Sequence, residues 1–154
     1  MSHEARLKEL KLELPPAAQP VAIYRLLSVS GGLAYVSGHG PVRADGTGVA
    51  GKLGDTLQKE AGYEAARLTG LKMLATLRAH FGSLDRVKRL VKTVGMVNST
   101  PDFTDQPAVI NGFSELMRDV FGPENGVGAR SSIGMASLPA GWAVEIEAIF
   151  EVEE

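Results

Sequence analysis

The sequence predicts an α+β protein in which two helices pack on one face of a mixed β-sheet, in the order β-β-α-β-α-β-β. Three observations lead to this fold class. Two stretches repeat apolar residues at helical spacing, five stretches have the alternation or composition of strands, and turns rich in Gly and Pro separate them. Helices that cover one face of a sheet make a stable layered domain, so we expect the other face to be buried in some other way.

The first residues form a segment distinct from the sheet. Residues 1–14 carry leucines at helical spacing, and Pro15-Pro16 ends the pattern. We therefore predict an N-terminal arm or short helix over residues 1–14 and a single domain over residues 15–154.

The first two strands are predicted at residues 21–29 and 33–37. Ser30, Gly31 and Gly32 lie between them, and both glycines can adopt the positive φ angles of a tight turn. The pair is therefore predicted to be a hairpin.

The first long helix is predicted from about Thr56 to Phe81, where Gly82 supplies a stop. One face repeats apolar residues at steps of three and four: Ala61, Ala65, Leu68, Leu71 and Ala75. A strand with alternating residues follows at 87–98.

The second long helix begins after Thr104-Asp105, with Pro107 in its first turn, and ends at Gly122-Pro123. Its apolar side consists of Val109, Phe113, Leu116, Met117 and Val120. This helix is therefore amphipathic and is predicted to pack against the sheet.

The last two strands are predicted to be neighbours in a hairpin that turns at residues 138–141. The first strand carries Arg130 and the second carries Glu145, so a cation and a base could meet there. The register of the hairpin is open, because a slip of one residue moves every side chain to the other face. Some registers place Arg130 and Glu145 on one face, whereas others separate them.

The final strand has two different faces. Its apolar stripe consists of Val144, Ile146, Ala148, Phe150 and Val152, and its polar stripe consists of Glu145, Glu147 and Glu151. If helices cover the apolar stripe, the polar stripes of several subunits can meet around an oligomer axis.

Composition limits the possible functions. The chain has 154 residues, 44% hydrophobic and 22% charged, as in an ordinary globular domain. A net charge of −2 disfavours binding of nucleic acid through a broad basic surface. No uninterrupted apolar run reaches the roughly 20 residues of a membrane span, so we expect a soluble cytoplasmic protein without membrane contacts.

Motifs for nucleophilic, phosphate and metal chemistry are missing. The chain contains no cysteine, hence no thiolate nucleophile and no sulfur-ligated zinc. Its glycine-rich stretch at residues 38–54 lacks the Gly-Lys-Ser/Thr ending of a phosphate-binding loop. The three histidines, His3, His39 and His80, lack metal-binding spacing. We predict no metal site.

Several segments together resemble the Rid/YjgF family, whose members are also called RidA-like or L-PSP endoribonuclease-like. The C-terminal segments that carry the resemblance are Ala129-Arg-Ser, Leu138-Pro139 and Val144-Glu-Ile-Glu-Ala-Ile149. The upstream segments are Tyr24, Ser37-Gly38, Val91-Lys-Thr93 and Val109-Ile-Asn-Gly-Phe113, in the order of the family. The resemblance implies a chorismate-mutase-like fold and a homotrimer with clefts between its subunits. It also implies hydrolysis of reactive enamine and imine intermediates to 2-oxo acids and ammonia, without a bound cofactor.

The same resemblance implies roles for individual residues. Arg130 would bind the substrate carboxylate, and Glu145 would hold or activate the attacking water, with Glu147 as the alternative base. The remaining substrate-binding candidates are Tyr24, Ser37, Gly38, Asn111, Ser132 and His39. Ser132 and His39 replace the cysteine and glutamine found in many members of the family. These departures and the N-terminal arm indicate a divergent branch.

Two other functions are compatible with these residues. A non-catalytic trimer that binds small carboxylates or keto acids needs Arg130 but not Glu145, because binding requires the cation and not the base. Ribonuclease activity, which an older family name suggests, is less favoured, since the histidines are scattered and only 6% of residues are aromatic.

Overall fold

The predicted α+β class and the order of the main elements are confirmed. The computed structural model describes residues 1–153. In chain order the elements are α1 (His3–Glu9), β1 (Leu27–Ser30), β2 (Leu33–His39), α2 (Lys59–Phe81), β3 (Val87–Asn98), α3 (Gln106–Asn125), β4 (Ala129–Met135) and β5 (Val144–Val152), with 3₁₀ turns at Leu84–Arg86 and Pro139–Gly141.

The five strands form one mixed sheet in the order β1-β2-β5-β3-β4. β3 and β4 are parallel, and the other neighbouring pairs are antiparallel. The predicted hairpin of the last two strands is therefore wrong, because β3 lies between β4 and β5. Residues 136–143 cross the end of β3, where Ser99 N–H donates to Met135 O (3.3 Å) and Asn98 N–H donates to Ala143 O (2.9 Å).

The β1–β2 hairpin is confirmed, but its first strand is shorter than predicted. Gly31 and Gly32 have φ angles of 60° and 75°, as the two-residue turn requires. β1 begins only at Leu27, and Ile23 is fully exposed at 107%. Before Leu27 the regular ladder is replaced by two bonds from Ser37, whose N–H donates to Leu26 O and whose hydroxyl donates to Arg25 O.

The hydrophobic core lies between the sheet and the two long helices. The predicted apolar stripe of β5 is confirmed, and each of its five residues is at most 3% exposed. The predicted apolar side of α3 is also buried. For α2 the buried face differs from the prediction, because Ala61 is exposed and Leu68 and Leu71 are half-buried. The buried residues on that face include Gly62, Ala66, Thr69, Gly70 and Met73.

The backbones of α2 and α3 are in direct contact. A Cβ atom at Gly112 would lie 2.0 Å from Tyr63 O and 3.1 Å from Arg67 N, both of which are backbone atoms of α2. The Tyr63 hydroxyl also donates to the Glu115 carboxylate, which joins the two helices and raises the pKa of Tyr63. Glycine at position 112 therefore sets the distance between the helices.

Replacing Gly112 by alanine is expected to destabilise the fold strongly. The added methyl group meets backbone atoms that cannot rotate away, so the helices must separate, and overpacking of this kind costs about 1–3 kcal/mol or more. Urea unfolding followed by circular dichroism measures the change. The matched control is Gly82→Ala. A Cβ atom at this position meets no atom within 4 Å, but φ is +80°, so the substitution adds backbone strain without a steric clash. Equal stability of Gly112→Ala and wild type would contradict the close packing.

Helix α1 is attached to the rest of the domain at several points. The Ser2 hydroxyl caps its first turn by accepting from Ala5 N–H (3.1 Å), and Leu7 is buried. Arg6 Nε donates to Asp119 O (2.9 Å), and Glu4 accepts from Leu84 N–H (2.9 Å). The N-terminal segment is thus folded onto the α3 side of the domain. Within residues 1–153, no helix combines the length and apolar character needed to cross a membrane.

Candidate functional site

Arg130 forms the centre of a first polar cluster at the edge of the sheet. It pairs in register with Thr93 of β3, on the face that the helices cover. Its Nη1 atom donates to Asn111 Oδ1 (2.8 Å) and to Ser114 Oγ (3.2 Å), which lie one turn apart on α3. These two bonds use both protons of Nη1. Among residues 1–153 the Nε and Nη2 protons remain available as a fork that matches a carboxylate.

Ser132 belongs to the same cluster. It lies two residues after Arg130 on the same face of β4 and pairs with Gly95. Its Oγ is buried and has no hydrogen-bond partner among the described residues. Buried polar groups are normally satisfied, so this hydroxyl is a candidate for a further polar contact. We call Arg130, Asn111, Ser114 and Ser132 the arginine cluster.

The arginine cluster borders a shallow cavity of about 190 Å³. Its lining includes Thr93, Asn111, Ser114, Val127 and Arg130. Arg130 is exposed, so its guanidinium is accessible from the edge of the sheet. Ser114 was not predicted from the sequence. Its position three residues after Asn111 on a helix is the signal that could have identified it, because such residues share a helical face.

Glu145 forms the centre of a second cluster on the opposite face of the sheet. It pairs in register with Met96, between the buried residues Val144 and Ile146, so its side chain leaves the helix-covered face. A Cβ atom at Gly38 would lie 2.9 Å from both Cδ and Oε1 of Glu145. Glycine therefore lets the carboxyl group rest directly against the backbone of β2.

This location changes the acidity of Glu145. Burial raises the pKa of the Glu145 carboxyl group, and the negative charge of Glu147 raises it further. Both effects disfavour the charged form. A carboxyl group whose pKa is raised towards neutral pH is better suited to accept and return a proton. Glu147 lies on the same face but is exposed.

Ser37 precedes Gly38 on β2 and is bonded to the chain that enters β1. The Ser37 hydroxyl donates to Arg25 O (2.6 Å), and Ser37 N–H donates to Leu26 O (2.8 Å). Tyr24 is the residue before Arg25, and 42% of its surface is exposed. We call Ser37, Gly38 and Glu145 the glutamate cluster, whereas Tyr24 lines a separate cavity with Thr76, Ala79 and His80 of α2.

His39 is in the core rather than on either surface. It is 3% exposed, its Nδ1 lies 2.7 Å from Ser37 O, and its Nε2 lies 2.8 Å from Thr76 Oγ1 on α2. Burial lowers the pKa of His39, the bond to Ser37 opposes that shift, and the nearby Lys72 charge adds to it. The predicted ligand contact is therefore corrected. An extra residue in β2 turns His39 inward, where both ring nitrogens already have partners.

The structure answers the question of register that the sequence left open. Arg130 and Glu145 lie on opposite faces of the sheet, so one small ligand cannot contact both within a single chain. Asn111 and Ser132 accompany Arg130, whereas Ser37 and Gly38 accompany Glu145. No group of three or more His, Cys, Asp or Glu side chains in residues 1–153 is arranged to hold a metal ion.

Comparison with known proteins identifies similar chains. Residues 4–140 match the family model described as "YjgF/chorismate_mutase-like, putative endoribonuclease". The Trypanosoma cruzi protein TCP17 is 43% identical over 148 residues, which cover 96% of this chain and 92% of TCP17.

Two solved structures are similar over nearly the whole chain. The Agrobacterium tumefaciens protein Atu1372, whose function is unknown, is 40% identical with a TM-score of 0.89, and the match covers 98% of this chain and 92% of that chain. A Shewanella oneidensis protein, solved as a "putative endoribonuclease", is 27% identical with a TM-score of 0.93. That match covers 99% of this chain and 100% of the other.

Proposed function

The chain belongs to the YjgF/chorismate-mutase-like family, and on that premise we propose that it hydrolyses reactive imines of 2-oxo acids in clefts between the subunits of a cytoplasmic homotrimer. The observation that carries the proposal is the position of Arg130 and Glu145 on opposite faces of one sheet. A cleft between two subunits can unite the arginine cluster of one chain with the glutamate cluster of its neighbour. The uncovered face of the sheet, with Tyr35 46% and Ile133 43% exposed, supports an interface there.

The chemistry follows from the two clusters. The free Nε and Nη2 protons of Arg130 bind the carboxylate of a 2-imino acid and orient its C=N carbon. Glu145 accepts a proton from water while the water oxygen bonds to that carbon, and the imine nitrogen takes up a proton from solvent as the C=N π bond opens. Glu145 then returns its proton to the nitrogen, the C–N bond breaks, and the hydroxyl proton passes to solvent as the C=O bond forms. The products are a 2-oxo acid and ammonia.

A second function is supported by the completeness of the arginine cluster. Within one chain Arg130 is already oriented by Asn111 and Ser114, and Ser132 offers an unpaired hydroxyl. Binding of a small carboxylate or keto acid needs only this cluster. A non-catalytic trimer that binds such ligands is therefore the alternative, and it leaves Glu145 dispensable.

Subunit complementation tests the shared cleft. Arg130→Ala and Glu145→Gln proteins are each expected to lose acceleration of imine hydrolysis, because every site then lacks one group. When the two variants are refolded together in equal amounts, half of the chains carry an intact Arg130 and the other half carry an intact Glu145. Roughly a quarter of the sites between subunits then combine both intact residues. The measurement is release of ammonia and 2-oxo acid from a 2-imino acid generated by an amino acid oxidase.

The outcomes separate the alternatives. Recovery near a quarter of wild-type activity supports sites between subunits, whereas mixtures as inactive as the separate variants contradict them. Wild-type protein that binds 2-oxobutanoate in calorimetry without accelerating hydrolysis supports the binding function. Sedimentation of the wild type as a monomer would overturn the proposed homotrimer.

A further inference from the structure

The β2 strand contains a bulge directly beside Glu145. Val36 pairs with Ala148 and His39 pairs with Ile146, so three steps on β2 match two steps on β5. The extra residue leaves Ser37 and Gly38 together on the uncovered face and turns His39 into the core. Without it, the residue after Ser37 would face the helices, and no glycine would lie against the Glu145 carboxyl group.

His39 holds this bulge from the core side. Its Nδ1 donates to Ser37 O at 2.7 Å, because a carbonyl oxygen can only accept. In the neutral ring Nε2 then accepts from the Thr76 hydroxyl at 2.8 Å, and the Lys72 carbonyl, 3.3 Å from Thr76 Oγ1, competes for the same proton. The backbone carbonyl of the bulge is thereby connected through one imidazole ring to helix α2.

The other polar groups of Ser37 are fixed on the opposite side. Its N–H donates to Leu26 O and its hydroxyl donates to Arg25 O. The bulge is thus held between the segment that enters β1 and the helix α2. Gly38 follows directly and contacts the Glu145 carboxyl group.

We propose that His39, together with Thr76, is a positioning residue that fixes the Ser37–Gly38 bulge and thereby the location of the Glu145 carboxyl group. The inference rests on the proposed function, in which Glu145 acts as the base. His39 itself contacts no ligand in this arrangement, since it is buried on the other side of the bulge. A small displacement of a catalytic group reduces the rate of the chemical step more than it reduces binding.

Kinetics of three variants and one control variant test the inference. His39→Ala is expected to lower kcat about tenfold, whereas KM stays within about twofold because Arg130 binds the carboxylate elsewhere. His39→Asn places an amide N–H near the position of Nδ1 and is expected to restore most of kcat. Thr76→Val removes the hydroxyl partner of Nε2 and is expected to lower kcat about threefold.

Thr69→Val is the matched control. Thr69 is a buried threonine on the same helix, and its hydroxyl donates to Ala65 O (2.8 Å) without contact to His39. It is expected to alter stability without altering kcat. Circular dichroism verifies folding of each variant, and Thr76→Val and His39→Asn keep the test possible if His39→Ala does not fold.

Titration of Glu145 by carboxyl ¹³C NMR gives a second readout that does not depend on catalysis. If the bulge relaxes in His39→Ala or Thr76→Val, the Glu145 carboxyl group becomes more exposed and its pKa falls towards the ordinary value. Unchanged Glu145 titration together with wild-type kcat in both variants would overturn the positioning role. Full activity of Glu145→Gln would instead overturn the proposed function, and the NMR titration would still decide the role of His39.

Discussion

Replacing Arg130 by alanine is expected to weaken binding of 2-oxobutanoate by about 100-fold or more. Each hydrogen bond to a charged group contributes about 1.5–3 kcal/mol, and the free Nε and Nη2 protons can form two of them. The variant should also lose acceleration of imine hydrolysis. Isothermal titration calorimetry measures the affinity, and ammonia release measures the activity.

Two further variants make this experiment specific. Arg118→Ala removes an exposed arginine of α3 that, within residues 1–153, pairs with Asp119 alone, so ligand affinity should remain unchanged. Arg130→Lys keeps the charge but cannot offer a planar fork, and its affinity should lie between those of the alanine variant and the wild type. Undiminished affinity in Arg130→Ala would show that the arginine cluster is not the carboxylate site.

Replacing Glu145 by glutamine is expected to lower kcat for imine hydrolysis by about 10²–10⁴-fold, the range of general acid-base catalysis. The amide keeps the size of the side chain but cannot accept a proton from water. Affinity for 2-oxobutanoate should change little, because Arg130 provides the anion site. Steady-state kinetics and calorimetry on the same preparation measure both effects.

The pH dependence distinguishes Glu145 from Glu147. Glu145 must be ionised to act as a base, so kcat/KM should fall as pH decreases through its raised pKa, above the usual value of about 4.3. Glu147→Gln removes a negative neighbour and should move this decline to lower pH while activity at neutral pH is retained. If Glu147→Gln is inactive and Glu145→Gln is active, Glu147 is the base.

Much of the fold could be predicted because many elements carry strong local patterns. β3 has the predicted limits, 87–98, since its alternation reflects one buried and one wet face. The buried side of α3 was also predicted, because large apolar residues mark it. The buried face of α2 was less visible, since Gly62, Thr69 and Gly70 add little hydrophobic signal yet allow close packing against α3.

The features that depend on distant parts of the chain could not be predicted. Insertion of β3 between β4 and β5 leaves no local mark, because the turn at residues 138–141 is compatible with a hairpin as well as with a crossover. The bulge at Ser37 and Gly38 likewise depends on Leu26, Thr76 and the register with β5. The candidate residues of the site could therefore be named from the sequence, whereas their division between two faces required the structure.

Helix α1 has a consequence for biosynthesis. Its partners are far along the chain: His3 contacts the Val87 carbonyl 84 residues later, and Arg6 contacts the Asp119 carbonyl 113 residues later. At a synthesis rate of about 5–20 residues per second, α1 waits on the order of 4–23 s for these partners to be made. During that time the apolar side chain of Leu7 lacks the core that buries it, and β4 and β5 are synthesised later still.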